Sequence, residues 1–102
     1  MVLASIQVDG KAYEAVHVAT GKSNVLLIRA GAGFLGCGYF RVDTADRLGD
    51  AVAIVRGVQT PDDMLGARVE EISQAAGRAG VRIGMSGREA LPLLAATALP
   101  AS

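Results

Sequence analysis

Aromatic side chains are almost missing from this sequence. Its 102 residues include two tyrosines, two phenylalanines and no tryptophan, against a hydrophobic fraction of 51%. The core must therefore be built from Val, Ile, Leu and Ala, which leave flat apolar surfaces. Such surfaces suit self-association, so a homo-oligomer is expected. Cysteine is also scarce. Cys37 stands alone, which excludes an internal disulfide and a Cys-based metal cluster. Net charge is lacking as well: ten basic residues balance ten acidic ones. No block of like charge reaches five residues, so the electrostatic footprint of a nucleic-acid binder is absent. With no basic stripe among Tyr13, Phe34, Tyr39 and Phe40, stacking on single strands is not expected either. No apolar run approaches the roughly 20 residues of a membrane helix. The opening MVLASIQVDGK has neither the basic nor the long apolar region of a signal peptide. The expectation is a cytoplasmic, soluble chain with no membrane or nucleic-acid partner. It forms one domain over 1–102, with a frayed tail from about residue 97.

What is present is a series of strand and helix signals. SIQVDGKAYEAVHVAT alternates around Asp9-Gly10, a two-residue hairpin signal, which predicts strands over about 3–8 and 11–19. TGKSN is a loop, and Asn24 to Ala30 is a nearly continuous apolar strand. Gly38 to Val42 is rich in β-formers and is expected to stay extended. Asp43 or Thr44 then caps a short helix that stops at Gly49. AVAIVRGV (51–58) reads as a buried strand. Thr60-Pro61-Asp62-Asp63 is a helix start with a cap, proline at the first position and acids in the first turn, closed by Gly66. Val69, Ile72, Ala75, Ala76 and Ala79 fall on one helical stripe ending at Gly80. VRIG (81–84) is expected as a short strand. The predicted fold class is α/β (α+β). Its sheet is mixed and largely antiparallel, fed by hairpins, with three or four short helices in a single layer on it.

AGAGFLGCG contains a literal G-x-G-x-x-G at Gly31, Gly33 and Gly36. A dinucleotide fingerprint works because its glycines lead straight into a helix whose N-terminus meets the pyrophosphate. Here Cys37-Gly38-Tyr39-Phe40-Arg41-Val42 follow, with better strand than helix propensity, and no clean βαβ unit is legible around them. The glycines are therefore read as a hairpin turn near Ala30–Gly33. Gly36 and Gly38 mark a bulge or close backbone contact. No cofactor is expected.

GMSGREAL (84–91) is a capping box, with Ser86 as N-cap and Glu89 three residues on. Met85 and Ala90 are spaced for a hydrophobic staple. Arg88 is left over: a helix start does not need it, and the helix dipole mildly disfavours it there. The N–H groups after Ser86, its hydroxyl, Gly87 and Arg88 can converge on a phosphate or carboxylate. Alternatively, Arg88 pairs with Asp62, Asp63 or Glu70, or with a neighbouring subunit. Pro92 falls at the sixth helical position and should kink or split the helix, freeing the Arg88 carbonyl.

GMSGREAL, approached through Gly80-Val81-Arg82-Ile83, resembles the C-terminal signature of the YunC-like domains of unknown function. Cys37-Gly38 leading to Val42 and a short helix resembles the same family. So does Arg56-Gly57-Val58 followed by Thr60. The tip AGAGF and Pro92 lie outside that pattern. The resemblance implies a small α/β fold of bacterial or archaeal type and no particular activity.

Among residues able to do chemistry, Cys37 sits between glycines, accessible from a cleft and near backbone donors. A reactive thiol also needs a base or a positive field. His17 is the sole histidine, and Arg41 and Arg88 can supply charge. The alternative is a buried cysteine that fills space. His17 has no partners spaced for a metal site, and none is expected. The acid pairs Asp62-Asp63 and Glu70-Glu71 fit helix starts or solvated faces. The leading expectation is a small homo-oligomeric domain that binds an anionic small molecule around Ser86, Gly87 and Arg88. Cys37 and Gly38 would line the same cleft. A Cys37-dependent enzyme using His17, or a purely structural interaction module, are the other readings.

Overall fold

The computed structural model describes residues 1–97. Six strands form one sheet in chain order: β1 (Val2–Val8), β2 (Lys11–Ala19), β3 (Asn24–Ala30), β4 (Gly33–Gly36), β5 (Ala51–Ile54) and β6 (Glu71–Ile72). Every neighbouring pair is antiparallel except β4 and β5, which run parallel. The helices are α1 (Val42–Leu48), α2 (Pro61–Gly66), α3 (Gln74–Arg78) and α4 (Gly87–Ala95). The mixed, largely antiparallel sheet is as the residues predict, and so are the four short helices.

The β1–β2 and β3–β4 hairpins turn where their turn residues stand. Asp9 and Gly10 adopt positive φ between Val8 and Lys11, the backbone that a two-residue turn requires. Gly31 does so, at φ 57, between Ala30 and Gly33. The glycine-rich stretch is therefore a hairpin.

A parallel pair requires a crossover, and β4–α1–β5 supplies one. The expectation of no βαβ unit here is corrected. It failed because Tyr39–Val42 does not stay extended. Phe40 N–H turns back to the Cys37 carbonyl (3.1 Å). The Phe40 ring then packs edge-on against Phe34, with centroids 5.0 Å apart. Val42 already belongs to α1, whose N-cap is Arg41 rather than Asp43 or Thr44.

β5 is buried along its whole length. Ala51 and Ala53 join the main core with Ile6, Val8, Leu26, Ile28, Leu35, Met64, Leu91 and Leu94. Val52 and Ile54 point the other way, into a second cluster with Ala45 and, at its margin, Phe34, Phe40 and Val42. Strand alternation explains the division. The helical layer over the main core is joined by α1 on the opposite face.

The helix expected across Val69–Ala79 is corrected. Glu71–Ile72 forms β6, Arg68 makes an isolated bridge with Ser86, and only α3 is helical. The free edge of β5 decides this. Ile54 and Val52 carbonyls accept Glu70 N–H (2.8 Å) and Ser73 N–H (2.9 Å). Buried backbone groups need such partners more than the stripe needs helical form. Ser73 then caps α3. Its buried hydroxyl accepts from Ala76 N–H (3.2 Å) and Val52 N–H (2.9 Å) and donates to the Asp50 carbonyl (2.8 Å). The strand expected at 81–84 is a turn, with Val81 N–H on the Ala76 carbonyl (3.1 Å). Likewise β5 ends at Ile54, short of Val58.

Pro92 sits inside α4 without splitting it. The carbonyl it leaves unpaired belongs to Arg88, an exposed residue, so water can satisfy it. Thr97 is fastened: its hydroxyl accepts Ala32 N–H (2.9 Å) and donates to the Leu94 carbonyl (2.6 Å). The rest of the expected frayed tail, 98–102, lies outside the described residues.

With few large side chains available, the elements meet through backbone. A methyl group at Gly33 would overlap the Ala51 carbonyl, and one at Gly87 would overlap the Met64 carbonyl. Gly66, which ends α2, has open space instead. Gly87→Ala is expected to cost about 3 kcal/mol or more through overpacking. Gly66→Ala should be neutral or stabilising by up to about 1 kcal/mol. Paired denaturant titrations of the two variants check this contrast.

Candidate functional site

β4 and β5 end side by side, and each is followed by an irregular segment. These segments, Cys37–Tyr39 and Arg56–Gln59, line a cleft of about 470 Å³ that is completed by Ser23 and Asn24 at the start of β3. In open α/β sheets, ligands bind outside the carboxyl ends of parallel strands. This cleft occupies that position for the parallel pair.

Cys37 forms the floor. Its N–H bonds the Leu26 carbonyl (3.0 Å), continuing the β3–β4 ladder. Leu26 N–H would return to the Cys37 carbonyl in a regular ladder. It instead meets the Cys37 Sγ at 3.3 Å, while the carbonyl receives Phe40 N–H. The thiol thus stands in for its own carbonyl as the chain turns away from the sheet. Sγ also donates to the Asn24 carbonyl at 3.9 Å, and the residue is 4% exposed.

His17, the other proposed chemical group, bonds the Asn24 side-chain oxygen through Nε2 at 2.6 Å. Cys37 and His17 therefore both engage Asn24, and no hydrogen bond joins them to each other among the described residues. Arg41 is paired with Asp43 (3.0 Å). No group of three or more His, Cys, Asp or Glu side chains is arranged to hold a metal among the described residues.

The far wall is Arg56-Gly57-Val58. Arg56 binds Glu70 (3.3 Å) and Glu71, and its pKa is raised chiefly by the hydrogen bond to Glu71. Its aliphatic stem lies over Gly38. Gly57 has φ 74, a left-handed backbone that favours glycine. The N–H groups of Gly38, Tyr39, Gly57 and Val58 have no hydrogen-bond partner among the described residues. Tyr39 reaches across to the β2–β3 turn, its hydroxyl on Thr20 Oγ1 at 3.3 Å.

Ser86, Gly87 and Arg88 do not line this cleft. They open α4, where the capping box forms as the spacing predicts. Ser86 Oγ accepts Glu89 N–H (3.1 Å). The Ser86 N–H and hydroxyl both donate to Glu89 Oε1 (3.0 Å each). Gly87 N–H is taken by the Ala67 carbonyl (2.9 Å). Of the donors expected to meet an anion, the Ser86 hydroxyl and the Gly87 and Glu89 N–H groups are thus engaged, while Arg88, among the described residues, is not. Arg88 is exposed and makes no ion pair among the described residues. Of the acids weighed as its partners, Asp63 caps α2 with Thr60 and Glu70 holds Arg56. GMSGREAL instead clasps 67–69. Val69 N–H bonds the Met85 carbonyl, Gly84 N–H bonds the Val69 carbonyl (2.8 Å each), and Arg68 bonds the Gly84 carbonyl (2.7 Å).

A compact mixed sheet with this cleft and this clasp describes a small α/β domain whose two central motifs meet at strand ends. The chain belongs to the family described as a domain of unknown function (DUF1805), whose model matches residues 36–94. It is 33% identical over 93 residues to the uncharacterized protein YunC of Bacillus subtilis (strain 168). That match covers 87% of this chain and 92% of YunC. Its structure resembles the crystal structure of a protein of unknown function, TA1206 from Thermoplasma acidophilum. The TM-score is 0.85 with 35% identity, covering 91% of each chain. The resemblance read from Cys37-Gly38, Arg56-Gly57-Val58 and GMSGREAL is thereby established. The first two motifs converge on the cleft, whereas the third builds the clasp. Asn24, Ser23 and Gln59 were not singled out from the sequence. Nothing local marks a strand start or a loop residue as a cleft wall.

Two predictions follow from this geometry. Cys37→Ala strands the buried Leu26 N–H and is expected to cost about 2 kcal/mol, whereas Cys37→Ser, which keeps an acceptor, should cost less. Chemical denaturation measures both. The Glu89 carboxyl is held below its ordinary range, first by the Ser86 backbone N–H and then by the Ser86 hydroxyl. A depressed folded value means that the unfolded chain binds the proton more readily, so stability rises with pH. The contribution is complete above the usual carboxylate range and is lost as pH falls through the lowered value. Melting curves across acid pH should show the advantage of wild type over Glu89→Gln shrinking as pH drops.

Proposed function

We propose that this domain binds a small anionic molecule in the Cys37–Arg56 cleft. One observation carries the reading. Two separate segments, each bearing a family motif, line one cleft at the carboxyl ends of the parallel pair, and four of their backbone N–H groups have no partner among the described residues. Backbone donors in such loops favour carboxylate or phosphate oxygens. Arg56 stands beside them with a planar fork suited to the same oxygens. Its present carboxylate partners, Glu70 and Glu71, are half exposed, so exchanging one for a ligand costs little. The ligand class is the one expected from the sequence, while its seat moves from Ser86–Arg88 to the cleft.

The test is a thermal-shift screen of wild type, Arg56→Gln and Arg88→Ala against phosphate, nucleotides and small carboxylates. At a hundredfold excess over Kd, a ligand adds about 2.7 kcal/mol to native stability. In a domain of this size that exceeds roughly 10 °C in Tm. A shift with one anion class that Arg88→Ala keeps and Arg56→Gln loses is the expected result. Loss in Arg88→Ala alone would return the site to α4. A flat response from all three proteins would remove the anion reading.

A further inference from the structure

The donors at the two strand ends account for only part of the cleft. Its volume of about 470 Å³ falls within the range of pockets that hold whole small molecules. An anionic group seated on the Gly38, Tyr39, Gly57 and Val58 N–H groups leaves most of that space to the rest of its molecule. That remainder meets Tyr39, Val58, Asn24 and Gln59. None of the four carries a charge, so it is recognised by shape, stacking and neutral hydrogen bonds.

Tyr39 stands out among them. The chain has two tyrosines and two phenylalanines. Phe34 and Phe40 pack on each other beside the second core cluster, and Tyr13 is buried. Only Tyr39 is exposed, at 56%. Its side chain is nonetheless held at both ends. The backbone sits in the turn that Phe40 N–H closes on the Cys37 carbonyl. At the far end the phenol donates to Thr20 Oγ1 (3.3 Å). The same oxygen accepts Ser23 N–H (2.9 Å) and so braces the turn that brings Ser23 to the cleft. Tyr39 also borders a second hollow, beside α1, with Thr44 and Leu48. It is thus a wall between two hollows rather than a core side chain. An exposed ring already fixed in place costs little further ordering when a flat group stacks on it.

On the basis of the anion reading above, we infer that the molecule bound in this cleft carries a planar aromatic ring. The ring stacks on Tyr39 while the acidic group sits on the strand-end N–H groups. Matched pairs test this by titration calorimetry on the full chain: phenyl phosphate against cyclohexyl phosphate, and benzoate against cyclohexanecarboxylate. Each pair holds charge and size nearly constant and differs in aromaticity. Wild type should bind the aromatic member of the pair it accepts roughly two- to tenfold more tightly. Tyr39→Leu, confirmed as folded by circular dichroism, should lose that preference and still bind the aliphatic member. Tyr39→Phe keeps the ring and should keep the preference. Equal affinity within both pairs, or a preference that survives Tyr39→Leu, would overturn the aromatic assignment and leave anion binding standing. Binding of none of the four anions would overturn both.

Discussion

Close backbone approach at two glycines sets the spacing of everything else in this domain. At Gly33 the β4 backbone lies against Ala51 of β5, and at Gly87 the start of α4 lies against the Met64 carbonyl of α2. A core with so few aromatic rings has little to span wide gaps, and voids carry a penalty of lost contacts. The elements close the gaps by moving together instead, and β5 lies among them as Ala-Val-Ala-Ile, buried on both faces. With β4 and β5 held in register, the segments that leave their ends have no choice but to be neighbours. The cleft follows from the packing.

How each segment leaves the sheet gives the cleft its chemistry. At Cys37 the ladder ends by substitution. The thiol accepts the Leu26 N–H, so the Cys37 carbonyl is free to close the turn with Phe40. Gly38 and Tyr39 emerge with their own N–H groups unengaged. On the other side, Arg56 is fixed by acids of β6 and its approach, and Gly57 turns the chain behind it. A cysteine that ends a strand this way has a structural reason to be where it is, whatever reactivity the thiol has in addition. His17 shares its contact with Asn24 and so braces the same corner from β2.

Signals held within a few residues were legible in the sequence. Asp9-Gly10, Thr60-Pro61 and Ser86-x-x-Glu89 each carry their partner close by, and each formed as its chemistry requires. Signals that depend on a distant partner were not. Val69 and Ile72 fit a helical stripe until the open edge of β5 takes the Glu70 and Ser73 N–H groups and Met85 takes that of Val69. Tyr39–Val42 has strand propensity, but no vacant strand lies beside it once β4 has paired on both sides. The site was half visible for the same reason. Cys37-Gly38 and Arg56-Gly57-Val58 were each conspicuous, but only the parallel pairing across the α1 crossover shows that they meet. Ser86–Arg88 looked like an anion site because a capping box and an anion site use the same donors. Glu89 occupies those of Ser86, its N–H and its hydroxyl.

An anion that binds this domain therefore needs donors that the chain has not already used, and these lie in the loops after β4 and β5. Arg56 is balanced by two carboxylates, so that wall of the cleft carries no strong bare charge. Under the proposed reading, selection there would rest on geometry more than on long-range attraction, in keeping with a chain whose formal net charge is zero.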